Sequence, residues 1–183
     1  MIALRMPKMF RRIARDRRGV SAVEFALLAP MMIGLYLGCV EISDGVSCDR
    51  KVSLISSALA NLAAQVVTIS TDDMTNILDA SSAIITPYDA NNLQMSLSCL
   101  NIDANKNLTV KWSVTRNGQV LNAADVSLPA ALLVPNTQLL FSKVSYAYTP
   151  VIGYTITGTL TLKDQMYMAP RINAPAYNGT ACG

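Results

Sequence analysis

Val20 to Val40 is a run of twenty-one residues in which Glu24, Tyr36 and Cys39 are the only ionisable side chains, and a cluster of cations stands directly before it. As a helix the run rises about 31 Å, the thickness of a bilayer's hydrocarbon core. The cluster comprises Arg5, Lys8, Arg11, Arg12, Arg15, Arg17 and Arg18, opposed by Asp16 alone. Cations flanking a span are retained in the cytoplasm, so the pattern predicts a single-pass membrane protein whose N terminus is inside and whose larger C-terminal part is outside. A cleaved secretory signal would need an apolar region of about 7–15 residues ending in a small-x-small site. Here the apolar run continues into Cys39-Val40-Glu41-Ile42. Leu37-Gly38-Cys39 resembles the end of a lipobox, which leaves lipidation of Cys39 as a lesser alternative, but Tyr36 stands where that motif takes a compact aliphatic residue.

The same cluster disposes of a nucleic-acid partner. From Val20 onward the chain holds eight basic and eleven acidic residues, so the positive charge is a local device at the membrane and not a basic surface. The chain has no histidine, the commonest general base and transition-metal ligand, and its four cysteines lack CxxC spacing. Asp72-Asp73 reads as the acidic first turn of a helix, and no glycine-rich phosphate loop is present. No enzyme, cofactor or metal site is expected. At 183 residues the chain has room for one modest domain.

Two features of the span exceed what an anchor needs. Ala22, Ala26, Pro30, Gly34 and Gly38 recur every four residues and end in a GxxxG, which lets a second helix approach closely; the bland alternative is that such residues are common in membrane helices anyway. Pro30 removes one amide from the helix ladder and should loosen it locally. Glu24 is the second feature, because a carboxylate in hydrocarbon costs up to about 3 kcal/mol and needs a partner. It either snorkels toward the arginines or pairs with an ammonium created by cutting the chain between Gly19 and Val20, four residues away on the same helical face.

Arg17-Arg18-Gly19-Val20-Ser21-Ala22-Val23-Glu24-Phe25-Ala26-Leu27-Leu28-Ala29-Pro30, followed by the apolar stretch and Val40-Glu41-Ile42, resembles the N-terminal motif of the TadE-like family of the tight-adherence (Flp) pilus system. The resemblance implies a minor pilin or pseudopilin: a basic leader, a prepilin-peptidase cut between Gly19 and Val20, a fifth-position glutamate at Glu24 with Phe25 beside it, and an apolar helix. It further implies a bacterial inner-membrane location, with a periplasmic domain of pilin-like architecture. The implied partners are membrane lipid, the prepilin peptidase, and other pilus or pseudopilin subunits met through the transmembrane helix at Glu24, Phe25, Pro30, Gly34 and Gly38. Within the family, TadG-like members offer the alternative of an unprocessed, membrane-anchored scaffold or binding protein.

The expected organisation is a basic leader over 1–19, a transmembrane helix over 20–42 and a periplasmic α+β domain over 43–183. Val52, Ile55, Leu59, Leu62, Val66 and Ile69 predict an amphipathic helix from about Asp49 to Thr68, packed on its own domain or on another subunit's helix. Asp44-Gly45 is where a hinge to the membrane helix is expected, since glycine costs a helix about 1 kcal/mol relative to alanine. A short helix starts from Thr71 or Asp72. Period-two alternation over Leu93 to Cys99 and Leu108 to Thr115 predicts a hairpin. Asn117-Gly118 should fold Gln119 to Leu121 back on it. Leu139 to Tyr148 and Tyr154 to Met168, with Thr155, Thr157, Thr159 and Thr161 outward, complete a small antiparallel sheet, and Ala123 to Thr137 is a loop. Pairing Cys99 with Cys182 would fasten the proline-rich tail and close a loop worth about 4–5 kcal/mol, with Cys48 as the alternative partner.

The topology is open to direct test. In intact spheroplasts, an impermeant thiol reagent should label a cysteine placed at Asn105 and spare one at Arg11; the reverse pattern would invert the assignment.

Overall fold

A computed structural model describes residues 19–150, 153 and 158–183. The basic leader up to Arg18, and Thr155 and Thr157 of the last expected strand, lie outside the described residues. The fold is α+β: a long N-terminal apolar helix runs into a domain built on an antiparallel sheet.

Helix α1 (Val20–Ala64) is continuous for 45 residues. From Glu41 upward one face is buried, at Glu41, Gly45, Cys48, Val52, Ile55 and Leu59, a 4, 3, 4, 3, 4 spacing that keeps a single seam against the sheet. The expected hinge at Asp44-Gly45 is absent. Gly45 serves close packing instead, because a Cβ there would already lie 3.6 Å from the Tyr148 ring. The helix also stops earlier than its apolar spacing implies, at Ala64 and not near Thr68. Thr68–Ile69 form a short strand β1, and Ile69 reaches the core from there.

The next helix sets that stop. Ser70 adopts an extended conformation and caps helix α2 (Thr71–Ser82), accepting from Asp73 N while the Asp73 carboxylate accepts from Ser70 N at 3.1 Å. This capping box satisfies orphan donors of α2 only if the chain has left the helical region at residue 70. Ser70 holds the Asp73 carboxyl below the usual carboxylate range through hydrogen bonds from its side chain and its backbone. Met74 and Leu78 turn the buried face of α2 inward.

Strands β2 (Leu93–Ile102), β3 (Leu108–Arg116), β4 (Thr137–Tyr148) and β5 (Leu160–Met168) form one antiparallel sheet in the order β3-β2-β4-β5. Leu93, Met95, Leu97 and Cys99 pair with Tyr146, Val144, Ser142 and Leu140 across the face that meets α1. Within that interface the Ser142 hydroxyl donates to the Ser56 carbonyl at 2.7 Å, and the two serine hydroxyls lie 3.1 Å apart. A buried polar pair of this kind costs little because each member satisfies the other. The opposite face is half covered: Leu100 and Phe141 pack under Leu121 and Val126, with Tyr167 stacked on Phe141 at 4.7 Å.

That second cluster explains a departure from the alternation. Gln119 to Leu121 does not return as a strand beside β3. A two-residue type I′ turn requires positive φ at both central residues. Here Asn117 has it (φ 55°) and Gly118 does not. The chain crosses the sheet instead, with Leu121 N donating to Ser113 Oγ at 3.1 Å and the Leu121 side chain buried. A register shift between Cys99 and Leu100 breaks the β2–β3 ladder at the same level.

The C-terminal segment is irregular but fastened at several points. Strand β6 (Ala176–Tyr177) pairs in parallel with β1, the Trp112 indole donates to the Pro175 carbonyl at 3.0 Å, and Arg171 N donates to the Ala64 carbonyl that closes α1. Cys99 and Cys182 form a disulfide with a Cα separation of 5.8 Å. Cys48 is a free, buried thiol in the seam and Cys39 a free, exposed one.

The replacement of a hinge by a packed contact at residue 45 gives opposite expectations for two substitutions. Gly45→Ala should raise the thermal midpoint of detergent-solubilised protein by an amount equivalent to about 0.5–1 kcal/mol, since the added methyl meets only an ordinary contact. Gly45→Leu should lower it by about 1–3 kcal/mol by displacing Tyr148. An alanine variant less stable than the parent would mean that the helix needs to bend there.

Candidate functional site

The apolar part of α1 begins at Gly19, which takes the N-cap position with φ −79° and ψ −14°, no side-chain cap and nothing within 4 Å of where a Cβ would stand. The chain's own fold places no demand for glycine there. Val20 is the first helical residue, and the stretch after it is stripped of intramolecular partners: Phe25 is 66% exposed, Leu27 75% and Tyr36 68%. With mean hydropathy 1.9 in its most apolar window, of which 6% is buried, this helix is long and apolar enough to cross a membrane. A helix packed into a soluble core would show the opposite burial. It continues through Pro30.

The seam that docks the sheet extends, with unbroken 3, 4 spacing, down into the apolar segment: Glu24, Leu27, Met31, Gly34, Gly38, Glu41, Gly45, Cys48. A straight helix drifts about 20° per heptad along such a line, which accumulates to about 100° over the five heptads from Glu24 to Leu59. At about 100° per residue Pro30, Gly34 and Gly38 therefore lie on the side of α1 that carries the domain above, whereas Glu24 lies about a quarter turn away and Phe25 nearly opposite. The expected assembly residues thus divide between two faces. A second helix seated at Gly34 and Gly38 would run beneath the footing of the sheet.

Where the helix leaves the apolar segment, three elements converge on one carboxylate. The Asp44 Oδ1 atom accepts from the Tyr88 hydroxyl at 2.8 Å and Oδ2 from the Tyr148 hydroxyl at 2.8 Å; Tyr88 also reaches the Asp44 carbonyl at 3.1 Å. Tyr88 comes from the turn after α2 and Tyr148 from the end of β4, and their rings meet edge to face at 6.2 Å. Lys51, two turns higher, donates to the Ile84 and Thr86 carbonyls and holds the Tyr88 turn against α1. Burial, then the hydrogen bond and charge of Asp44, push both hydroxyls well above the usual tyrosine value. Both tyrosines stay protonated donors. Burial first, then the charges of Asp44 and Asp49, push the Cys48 thiol up to about 11, Lys51 opposing them. Glu41 is buried one turn below.

The sequence marked Asp44 only as part of an expected hinge and Tyr148 only as the end of a strand, and it did not join either to Tyr88. Tyr88 and Tyr148 stand 44 and 104 residues from Asp44 along the chain, too far apart for one motif to hold all three.

Residues 19–46 match the family model described as TadE-like protein. The matched stretch covers the apolar segment and ends within the junction, one turn below Arg50. No curated protein and no solved structure matches the chain.

Removal of both hydroxyls in Tyr88→Phe/Tyr148→Phe should destabilise the domain by about 1–3 kcal/mol, because the Asp44 carboxylate loses two donors. The pH dependence carries the sign. Since folding raises the tyrosine values, their contribution is intact below the unfolded tyrosine value of about 10 and is lost as pH climbs through the raised folded values. Urea titrations should show the parent losing stability above about pH 10 more steeply than the double variant, and parallel curves would remove the clamp from the account.

Proposed function

We propose that the chain is a TadE-like minor pilin or pseudopilin, a non-enzymatic component of tight-adherence (Flp) pilus assembly in the bacterial inner membrane. In this reading the prepilin peptidase cuts between Gly19 and Val20 at the cytoplasmic face. The mature helix then packs laterally against other pilus subunits, and the sheet domain stands in the periplasm. The single observation that supports it most is the freedom of Gly19. Its φ is ordinary and its surroundings are empty, so the fold itself would accept a larger residue. A glycine that folding does not require, directly before an apolar helix with a glutamate five residues on, fits a requirement imposed by another protein.

The reading also accounts for Glu24. After the cut, the ammonium of Val20 lies four residues before the Glu24 carboxylate, in its own chain or offered to a neighbour's, and neutralises a charge that hydrocarbon penalises. The seam supports the same view. A helix that continues without a hinge into the domain transmits the orientation set at Glu24, Gly34 and Gly38 directly to the sheet, as a subunit in a lateral assembly needs. The Cys99–Cys182 disulfide suits an oxidising compartment such as the periplasm.

Protein extracted from membranes of cells with an active cognate peptidase should begin Val20-Ser21-Ala22 on N-terminal sequencing. Gly19→Leu should abolish the cut without lowering the thermal midpoint by more than about 0.5 kcal/mol equivalent. Glu24→Ala should insert normally and fail in assembly. Retention of Arg17 and Arg18 in cells whose major pilin is fully processed would instead identify an unprocessed anchored scaffold.

A further inference from the structure

The outer face of the sheet is divided. Its distal half is sealed by the cluster of Leu100, Phe141, Leu121 and Val126, but the half toward the membrane is left as an open cleft of about 510 Å³. The floor is polar throughout. On β2 it presents Gln94 and Ser96, on β4 Lys143 and Ser145, and on β5 Lys163, with the irregular 117–121 segment as one wall. The strand register places Ser96 opposite Lys143, and Ser145 opposite both Gln94 and Lys163.

Lys143 and Lys163 are therefore diagonal neighbours on one face, about 7–8 Å apart at their backbones, and their like charges repel. Among the described residues neither is in an ion pair, the single salt bridge being Arg116 with Asp79. The one carboxylate in the cleft wall, Asp125, spends Oδ2 on Asn122 N in its own turn at 3.0 Å. The wall adds donors as well, because the amides of Gln119 and Val120 lack hydrogen-bond partners among the described residues. Two cations held close by a rigid sheet, free amides beside them and Val120 standing 57% exposed at the rim make a site that receives negative charge next to a small apolar contact.

We propose that this cleft docks an acidic peptide segment of a partner protein, with carboxylates on Lys143 and Lys163 and an apolar side chain against Val120. The volume accommodates about three or four residues, within the range of ligand clefts. Height above the bilayer argues for a peptide over a lipid phosphate. Tyr148 lies level with Asp44 at the membrane end of the domain; Lys163, opposite Ser145, stands three strand residues farther along, about 10 Å higher, and Lys143 five residues farther, about 17 Å higher. Headgroups of the membrane that holds α1 do not reach it, whereas the flank of a neighbouring domain does. This exclusion of lipid rests on the reading of α1 as a membrane span, and competition by vesicles tests it separately from the docking itself.

The probe is a fluorescein-labelled peptide, acetyl-Glu-Glu-Val-Glu-amide, titrated by anisotropy with the full chain in neutral detergent at low salt. Saturable binding is expected, weakened at least tenfold in Lys143→Gln/Lys163→Gln and for the Gln-Gln-Val-Gln peptide. Lys143→Glu/Lys163→Glu should prefer the Lys-Lys-Val-Lys counterpart. Unchanged circular dichroism and thermal midpoint in these surface variants exclude misfolding as the cause. Failure to bind up to millimolar peptide, equal binding by the double glutamine variant, or equal competition by inorganic phosphate would overturn the proposal. Preferential competition by anionic phosphatidylglycerol vesicles over the acidic peptide would reassign the cleft to lipid.

Discussion

Everything outside the apolar segment hangs on one face of α1. Val52, Ile55 and Leu59 are fully buried against the sheet, each worth about 1.5–3 kcal/mol, and they lie on the same line as Cys48, Gly45 and Glu41 below them. Because the seam starts at Glu41, the domain does not merely sit on top of a membrane helix. It grips the helix from the point at which that helix becomes amphipathic. The sheet is built to match: α1 packs chiefly on β4 and β5, over the face that carries Leu140, Val144 and Leu162, and Leu93, Met95 and Leu97 of β2 complete the same core beside it.

The Asp44 clamp completes that grip at its most exposed point. A long helix leaving a bilayer would otherwise fray from the sheet at the lower edge, where Tyr148 ends β4 and few apolar contacts remain. Two tyrosines on one carboxylate bind the helix to β4 and to the turn after α2 at once, and the edge-to-face contact of their rings fixes their angle. At the upper edge the closing contacts are of a different kind. Arg171 caps the Ala64 carbonyl, β6 pairs with β1, and the Cys99–Cys182 disulfide ties the irregular tail to the central strand. The helix is thus held at both ends of its domain portion, which makes it a stiff rod and gives the membrane segment a defined rotational setting relative to the sheet.

That setting bears on the proposed role of the chain as a pilus subunit. Pro30, Gly34 and Gly38 lie on the domain's side of the rod, and the Lys143 and Lys163 cleft lies on the far face of the sheet from α1. In the proposed role, a recognition surface low on the helix and another on the outer sheet would be two unlike faces. Unlike faces meeting head to tail propagate an open array, while a single self-complementary face closes a dimer.

The sequence by itself determined the apolar span, the direction of the charge bias, the change from helical to alternating period near Leu93 and the motif around Gly19 and Glu24, since each is written in contiguous residues and depends only on local periodicity or charge. The Val52, Ile55 and Leu59 spacing likewise announced the buried face. Tertiary structure alone decided three matters. Gly45, legible as a helix breaker, became a packing site because Tyr148 fills the space beside it. Gln119 to Leu121, legible as a returning strand, crossed the sheet because Leu100 and Phe141 offered Leu121 an apolar bed and Gly118 did not adopt the turn. The joining of Asp44 to Tyr88 and Tyr148, and of Lys143 to Lys163, depends on strand register and on which face each residue takes, and a one-residue slip would have reversed both.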